Sequence, residues 1–128
     1  MDVTTTNDPA VVAEIAGVFA AYEQALVDND VQALEEAFWD SALTVRFGLA
    51  ERLYGRREID AWRDSATRVP VSRTLGRTVI VAFGEHAACV STEFRDETSE
   101  AVGRQSQTWL RLDGRWRIVA AHVSREPE

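Results

Sequence analysis

Apolar residues recur every three or four positions from Val11 through Ile15, Val18, Phe19, Tyr22 and Ala25 to Leu26, which is the spacing of one helix face. Asp8 and Pro9 stand before that stripe as a capping and a first-turn residue, and Asn29 and Asp30 break it, so a helix is predicted between them. Asp30 caps a short second helix that carries Leu34 and Phe38. The period then changes. Leu43, Val45, Phe47 and Leu49 alternate with Thr44, Arg46 and Gly48, a strand pattern. Glu51, Arg52 and Tyr54 read as a turn, and after Gly55 a third helix carries Ile59, Trp62 and Ala66 before stopping ahead of Pro70.

Beyond Pro70 the chain reads as short strands with turns between them: roughly Ser72–Phe83, Ala87–Arg95, Gly103–Leu112 and Arg115–Arg125. Asp113–Gly114 is a strong hairpin signal, because both residues tolerate positive φ. Helices first and consecutive hairpins later predict an α+β fold, with helices on one face of an antiparallel sheet. No repeat, linker or low-complexity tract divides the 128 residues, so one domain is expected over 1–128.

Composition narrows the function. A net charge of −7 with no basic cluster disfavours nucleic acid and anionic membranes as partners. The N-terminus lacks the charged start and apolar stretch of a signal peptide, and no window reaches the roughly 18 apolar residues of a membrane span, so a cytoplasmic protein is expected. One cysteine, Cys89, excludes an internal disulfide, and with only His86 and His122 beside it no metal site is expected. All 14 basic residues are arginine, which excludes Schiff-base chemistry through lysine. Positive charge in any pocket is therefore guanidinium or protonated histidine.

Several polar residues interrupt apolar patterns. Tyr22 lies in the stripe of the first helix, so its hydroxyl enters the interior either as a bonded core group or as part of a cavity. Arg46 sits mid-strand between Val45 and Phe47, and Arg63 flanks the stripe of the third helix; each reaches solvent or turns into a shared polar cavity. Strict alternation puts His122 and Ser124 on one face with Trp116 and Ile118, and puts Gln105 and Gln107 on one face with Trp109. Cys89, Ser91, Glu93 and Arg95 form another such row. Trp39 and Tyr54 are candidate wall and lip residues, with plain core packing and a solvated turn as the simpler readings.

Phe38–Trp39–Asp40, Thr44–Val45–Arg46–Phe47–Gly48, Glu51, Leu53–Tyr54–Gly55, Ile59, Arg63, Gly103 to Trp109 and Ala121–His122–Val123–Ser124 together resemble the AtzH-like family of the SnoaL-like, NTF2-like superfamily, from about Ala13 to Arg125. The resemblance implies an NTF2-like cone, with three N-terminal helices packed on a curved antiparallel sheet. It also implies a decarboxylating amidohydrolase without cofactor or metal, acting on a small carboxylated urea: 1,3-dicarboxyurea to allophanate, or an intermediate of oxalurate breakdown. The family's helix-one tyrosine and strand arginine fall here on Tyr22 and Arg46, which it implies are catalytic. Trp39, Tyr54, Arg63, Gln105, Gln107, His122 and Ser124 are the expected substrate-binding residues. The chain departs from the family's commoner pattern at Arg52 and Trp62, placing an extra arginine and a bulkier ring near the lip.

Two other functions fit the same fold. A ketosteroid-isomerase-like or polyketide-cyclase-like proton abstractor needs a carboxylate base, for which Asp40 and Glu93 are the candidates. A non-catalytic ligand-binding or assembly module needs none. In each case a homodimer or homotetramer is expected.

Overall fold

The computed structural model describes residues 1–128. Helix α1 (Pro9–Asp28) begins where Asp8 accepts the amides of Ala10 and Val11, and it ends as Asn29 enters the left-handed region at φ 54°. Helix α2 (Val31–Glu36) is capped by Asp30, whose side chain accepts the Ala33 amide. A hairpin of two three-residue strands, β1 (Val45–Phe47) and β2 (Arg52–Tyr54), then leads into helix α3 (Arg56–Ser65). The segment Arg52–Tyr54, expected as part of a turn, is therefore a strand. Strands β3 (Thr74–Phe83), β4 (Ala87–Asp96), β5 (Ser99–Leu112) and β6 (Arg115–Arg125) complete the chain.

The six strands form one sheet in the order β2-β1-β6-β5-β4-β3. The expectation of an antiparallel sheet holds for every pairing except β1 with β6, which run parallel. That pair is joined through α3 and the meander rather than by a hairpin, and only a long crossover of this kind brings parallel neighbours together. One face of the sheet, with Ala88, Val90, Trp109 and Ile118, packs on Ile15, Phe19, Leu34, Phe38 and Ile59 to make the core. The opposite face leaves Val79 and Phe83 exposed.

A bulge between β5 and β6 decides what the last strand offers. Thr108 pairs with Ala120 but Trp109 pairs with Ile118, so Val119 is one residue too many and the alternation of β6 changes phase there. Trp116 and Ile118 point inward before it, Ala121 and Val123 after it.

Helix α1 has the length and mean hydropathy, 1.5, of a membrane span, which corrects the expectation that no segment approaches one. Its Val11, Ile15, Phe19, Tyr22, Ala25 and Leu26 are buried in the fold, which accounts for that apolar composition.

Candidate functional site

A cavity of about 290 Å³ lies between α1, α3, the segment after α3 and the concave face of the sheet. β1 contributes Arg46 to it. Thr44 is 0% and Arg46 7% exposed, while Leu43 is 76% exposed, so the polar members of the alternation turn inward. Thr44, just ahead of β1 and outside the cavity lining, is satisfied by its Oγ1 donating to the Trp39 carbonyl at 2.8 Å. Arg46 stands between Leu53 of β2 and the small Ala121 of β6, which leaves room for a guanidinium. Its Nη1 donates to Glu51 Oε1 at 2.6 Å. Gly48 permits this pair to close: a Cβ there would lie 1.7 Å from Glu51 Oε1 and 2.7 Å from Arg46 Nη1.

Trp62 of α3 is shared by two guanidinium groups, with Arg46 Cζ 4.1 Å and Arg63 Cζ 4.6 Å from the ring centroid. Such contacts contribute on the order of 0.5–2 kcal/mol each when partly desolvated. Arg63 is 7% exposed. Burial first, and the nearby Arg46 charge with it, lowers its pKa, while the adjoining Tyr22 phenol and Glu51 act in the opposite direction. An arginine keeps its proton at neutral pH through any such shift. Tyr22, Arg46, Glu51 and Arg63 are thus neighbours in a single cluster at one end of the cavity.

The other end is charge-matched. Arg73 donates through Nε to Glu23 Oε1 at 2.8 Å and through Nη2 to Gln105 Oε1 at 3.1 Å, and Gln105 Nε2 donates to Glu23 Oε2 at 3.0 Å. Arg125 donates to Asp96 Oδ2 at 2.9 Å. Burial works to raise the Asp96 carboxyl, but bonds from Thr98 and the Arg125 charge outweigh it and hold the group below its ordinary range. Arg73 and Arg125 both lie over Phe94, 4.1 and 5.1 Å from its centroid.

Five guanidinium groups, Arg46, Arg63, Arg68, Arg73 and Arg125, therefore border the cavity. Three are matched by Glu51, Glu23 and Asp96. Arg68 donates to the Val27 carbonyl. Arg63 is the deeply buried one with no carboxylate within ion-pair distance. A chain of net charge −7 thus holds an electropositive hollow, a place suited to a small anion.

A family model described as AtzH-like matches residues 4–128. The chain belongs to the AtzH-like family. A crystal structure of a cystatin-like fold protein from Burkholderia xenovorans is similar to this AtzH-like chain at 46% identity, covering 97% of it and 98% of that chain with a TM-score of 0.94. A protein of unknown function from the DUF3225 family of Pectobacterium atrosepticum is 44% identical, covering 95% of each chain, with a TM-score of 0.91. An NTF2-like protein of unknown function from Pseudomonas putida, 19% identical over 93% of this chain and 89% of that one with a TM-score of 0.78, shows the NTF2-like fold alone. No curated protein matches the AtzH-like chain.

Of the residues singled out in the sequence, Tyr22, Arg46, Arg63, Gln105 and Gln107 border the cavity of this AtzH-like protein. Four do not. His122 and Ser124 lie on the opposite face because the Val119 bulge reverses the alternation; His122 packs edge-on to Phe47 at 6.0 Å, and Ser124 Oγ accepts from Arg104 Nε at 3.2 Å. Tyr54 is 56% exposed and packs on Phe47 from the same outer side. Trp39 is held by its backbone to Ile118 and to Thr44 rather than in the cavity wall. The row Cys89, Ser91, Glu93 and Arg95 is likewise exposed. Arg73, Glu23, Phe94, Asp96 and Arg125 went unnoticed in the sequence, since their contacts join positions 50 or more apart in the Arg73–Glu23 case and turn on the bulge in the case of Arg125.

Proposed function

We propose that this AtzH-like protein is a cofactor-independent decarboxylating amidohydrolase acting on a small carboxylated urea, with 1,3-dicarboxyurea as the representative substrate. The observation that carries the reading is Arg63: a buried guanidinium with no carboxylate of its own, in one cluster with Tyr22 and the Arg46–Glu51 pair. A planar carboxylate meets a guanidinium with two parallel hydrogen bonds, each contributing about 1.5–3 kcal/mol. In the reaction the bond between a urea nitrogen and a carboxyl carbon breaks, carbon dioxide leaves, and the electron pair stays on nitrogen. That nitrogen takes a proton from the Tyr22 hydroxyl, which regains one from water. Arg46, oriented by Glu51 and by the Trp62 ring, offers donors to the charge that develops on the urea oxygen.

The proton-abstractor alternative loses the two bases the sequence offered it, since Asp40 and Glu93 are both exposed and border no part of the cavity, and the carboxylates that do border it, Glu51 and Asp96, are each paired with an arginine. Freshly prepared 1,3-dicarboxyurea, with carbon dioxide and allophanate followed over time, tests the proposal. Turnover that falls at least about tenfold in Tyr22→Phe and in Arg46→Ala is expected. No turnover, or variants as active as the native protein, retires it and leaves a non-catalytic anion-binding module.

A further inference from the structure

Gln107 is a buried amide with one half committed. Its Oε1 accepts the indole N–H of Trp109 at 3.1 Å. An indole nitrogen offers a single hydrogen and no acceptor, so chemistry alone dictates which way the amide faces: oxygen towards Trp109, NH2 group away from it. Gln107 is 3% and Trp109 2% exposed, so neither turns out to bulk solvent. Gln107 borders the cavity, and its Nε2, which makes no bond within the protein, is not among the sealed polar atoms. Gln105, two residues earlier on the same face, differs. Both halves of its amide are consumed by Arg73 and Glu23. The Tyr22 ring, which also borders the cavity, meets Trp109 edge-on at 6.4 Å, so the indole stands behind both the phenol and the amide.

We propose that Gln107 is a specificity-determining donor of this site, locked by Trp109 as a positioning residue, so that the ligand must present a carbonyl or carboxylate oxygen to it. With Arg63 and Arg46 the amide makes a wall of donors. A ligand that offers N–H at that point sets donor against donor, and the desolvated pair then lacks an acceptor. This deepens the functional reading and rests only on its anionic-ligand half, not on turnover.

Calorimetric titration of malonate tests the assignment in native protein and in Gln107→Met, Gln107→Glu, Trp109→Phe and Arg63→Met. Gln107→Met is expected to weaken malonate about tenfold, and Gln107→Glu, which sets a carboxylate near Arg63 while still accepting from the indole, about a hundredfold or more. Trp109→Phe frees the amide to turn and is expected to weaken malonate several-fold. In proton–nitrogen NMR of the native protein, malonate is expected to move the Gln107 NH2 pair and leave the Trp109 indole signal in place. Where Gln107→Met does not fold, Gln107→Glu carries the test. Malonate binding unchanged in the Gln107 variants but lost in Arg63→Met overturns the donor assignment and leaves the anion site standing. No malonate binding by native protein at millimolar concentration overturns both. The expected Gln107 dependence without dicarboxyurea turnover keeps the donor assignment and removes only the enzyme reading.

Discussion

Arg63 shows how one residue sets stability against function. Taking a guanidinium out of water without a carboxylate costs free energy that Trp62 and Tyr22 offset only in part. Arg63→Met is therefore expected to stabilise the unliganded protein by about 1–2 kcal/mol in urea denaturation, while malonate binding is lost. Gly103 shows the reverse constraint. A Cβ there would lie 2.2 Å from the Phe94 ring, and that ring is held by two guanidinium groups rather than free to move. Gly103→Ala is expected to cost about 1–3 kcal/mol in the same measurement, because overpacking must displace both ring and strand.

Among the elements, α2 and α3 meet through an acid pair. Glu35 of α2 is pushed up to about 7, by burial first and then by a hydrogen bond shared with Asp64 and the Asp60 charge, with Arg56 acting against the shift. Its Oε2 is buried with no hydrogen-bond partner. The folded protein holds that proton to higher pH than the unfolded chain, whose glutamate titrates near 4.5. The contribution to stability is thus complete below about pH 4.5 and lost as pH rises to about 7. Glu35→Gln, which supplies a permanent donor to Asp64, is expected to raise Tm relative to native protein at pH 8 and to leave it nearly unchanged at pH 4. A pH-independent difference in Tm scans at the two values would contradict this origin. Since α3 carries Trp62 and Arg63, the acid pair also bears on how firmly the cavity wall is held.

For the whole molecule, a hollow carrying excess positive charge inside a chain of net charge −7 makes folding and anion binding one equilibrium. An anion that binds only the folded state stabilises it by about 2.7 kcal/mol at a hundred times its Kd. Native protein is accordingly expected to be less stable than Arg63→Met without malonate and more stable at saturating malonate. Thermal melts over a malonate series would show the two Tm curves crossing; parallel curves would mean that Arg63 does not meet the ligand.

What the sequence alone determined about this protein is what local chemistry controls. The stripe from Val11 to Leu26 with Asp8 before it and Asn29 after it, and the Asp113–Gly114 hairpin, depend on neighbours a few residues away and appear where the pattern puts them. Tyr22 and Arg46 were legible for the related reason that a polar group inside an apolar period needs an explanation. Tertiary structure decided the rest. Alternation held along β5 and put Gln105 and Gln107 inward, but on β6 the unpaired Val119 turned His122 and Ser124 out and Ala121 in, and no local signal marks a residue that a partner strand fails to match. The burial of Arg63, the matching of Arg73 to Glu23 across 50 residues and the orientation of the Gln107 amide all depend on groups brought together only when the helices close over the sheet, because a side chain's electrostatic surroundings are a property of the assembled fold.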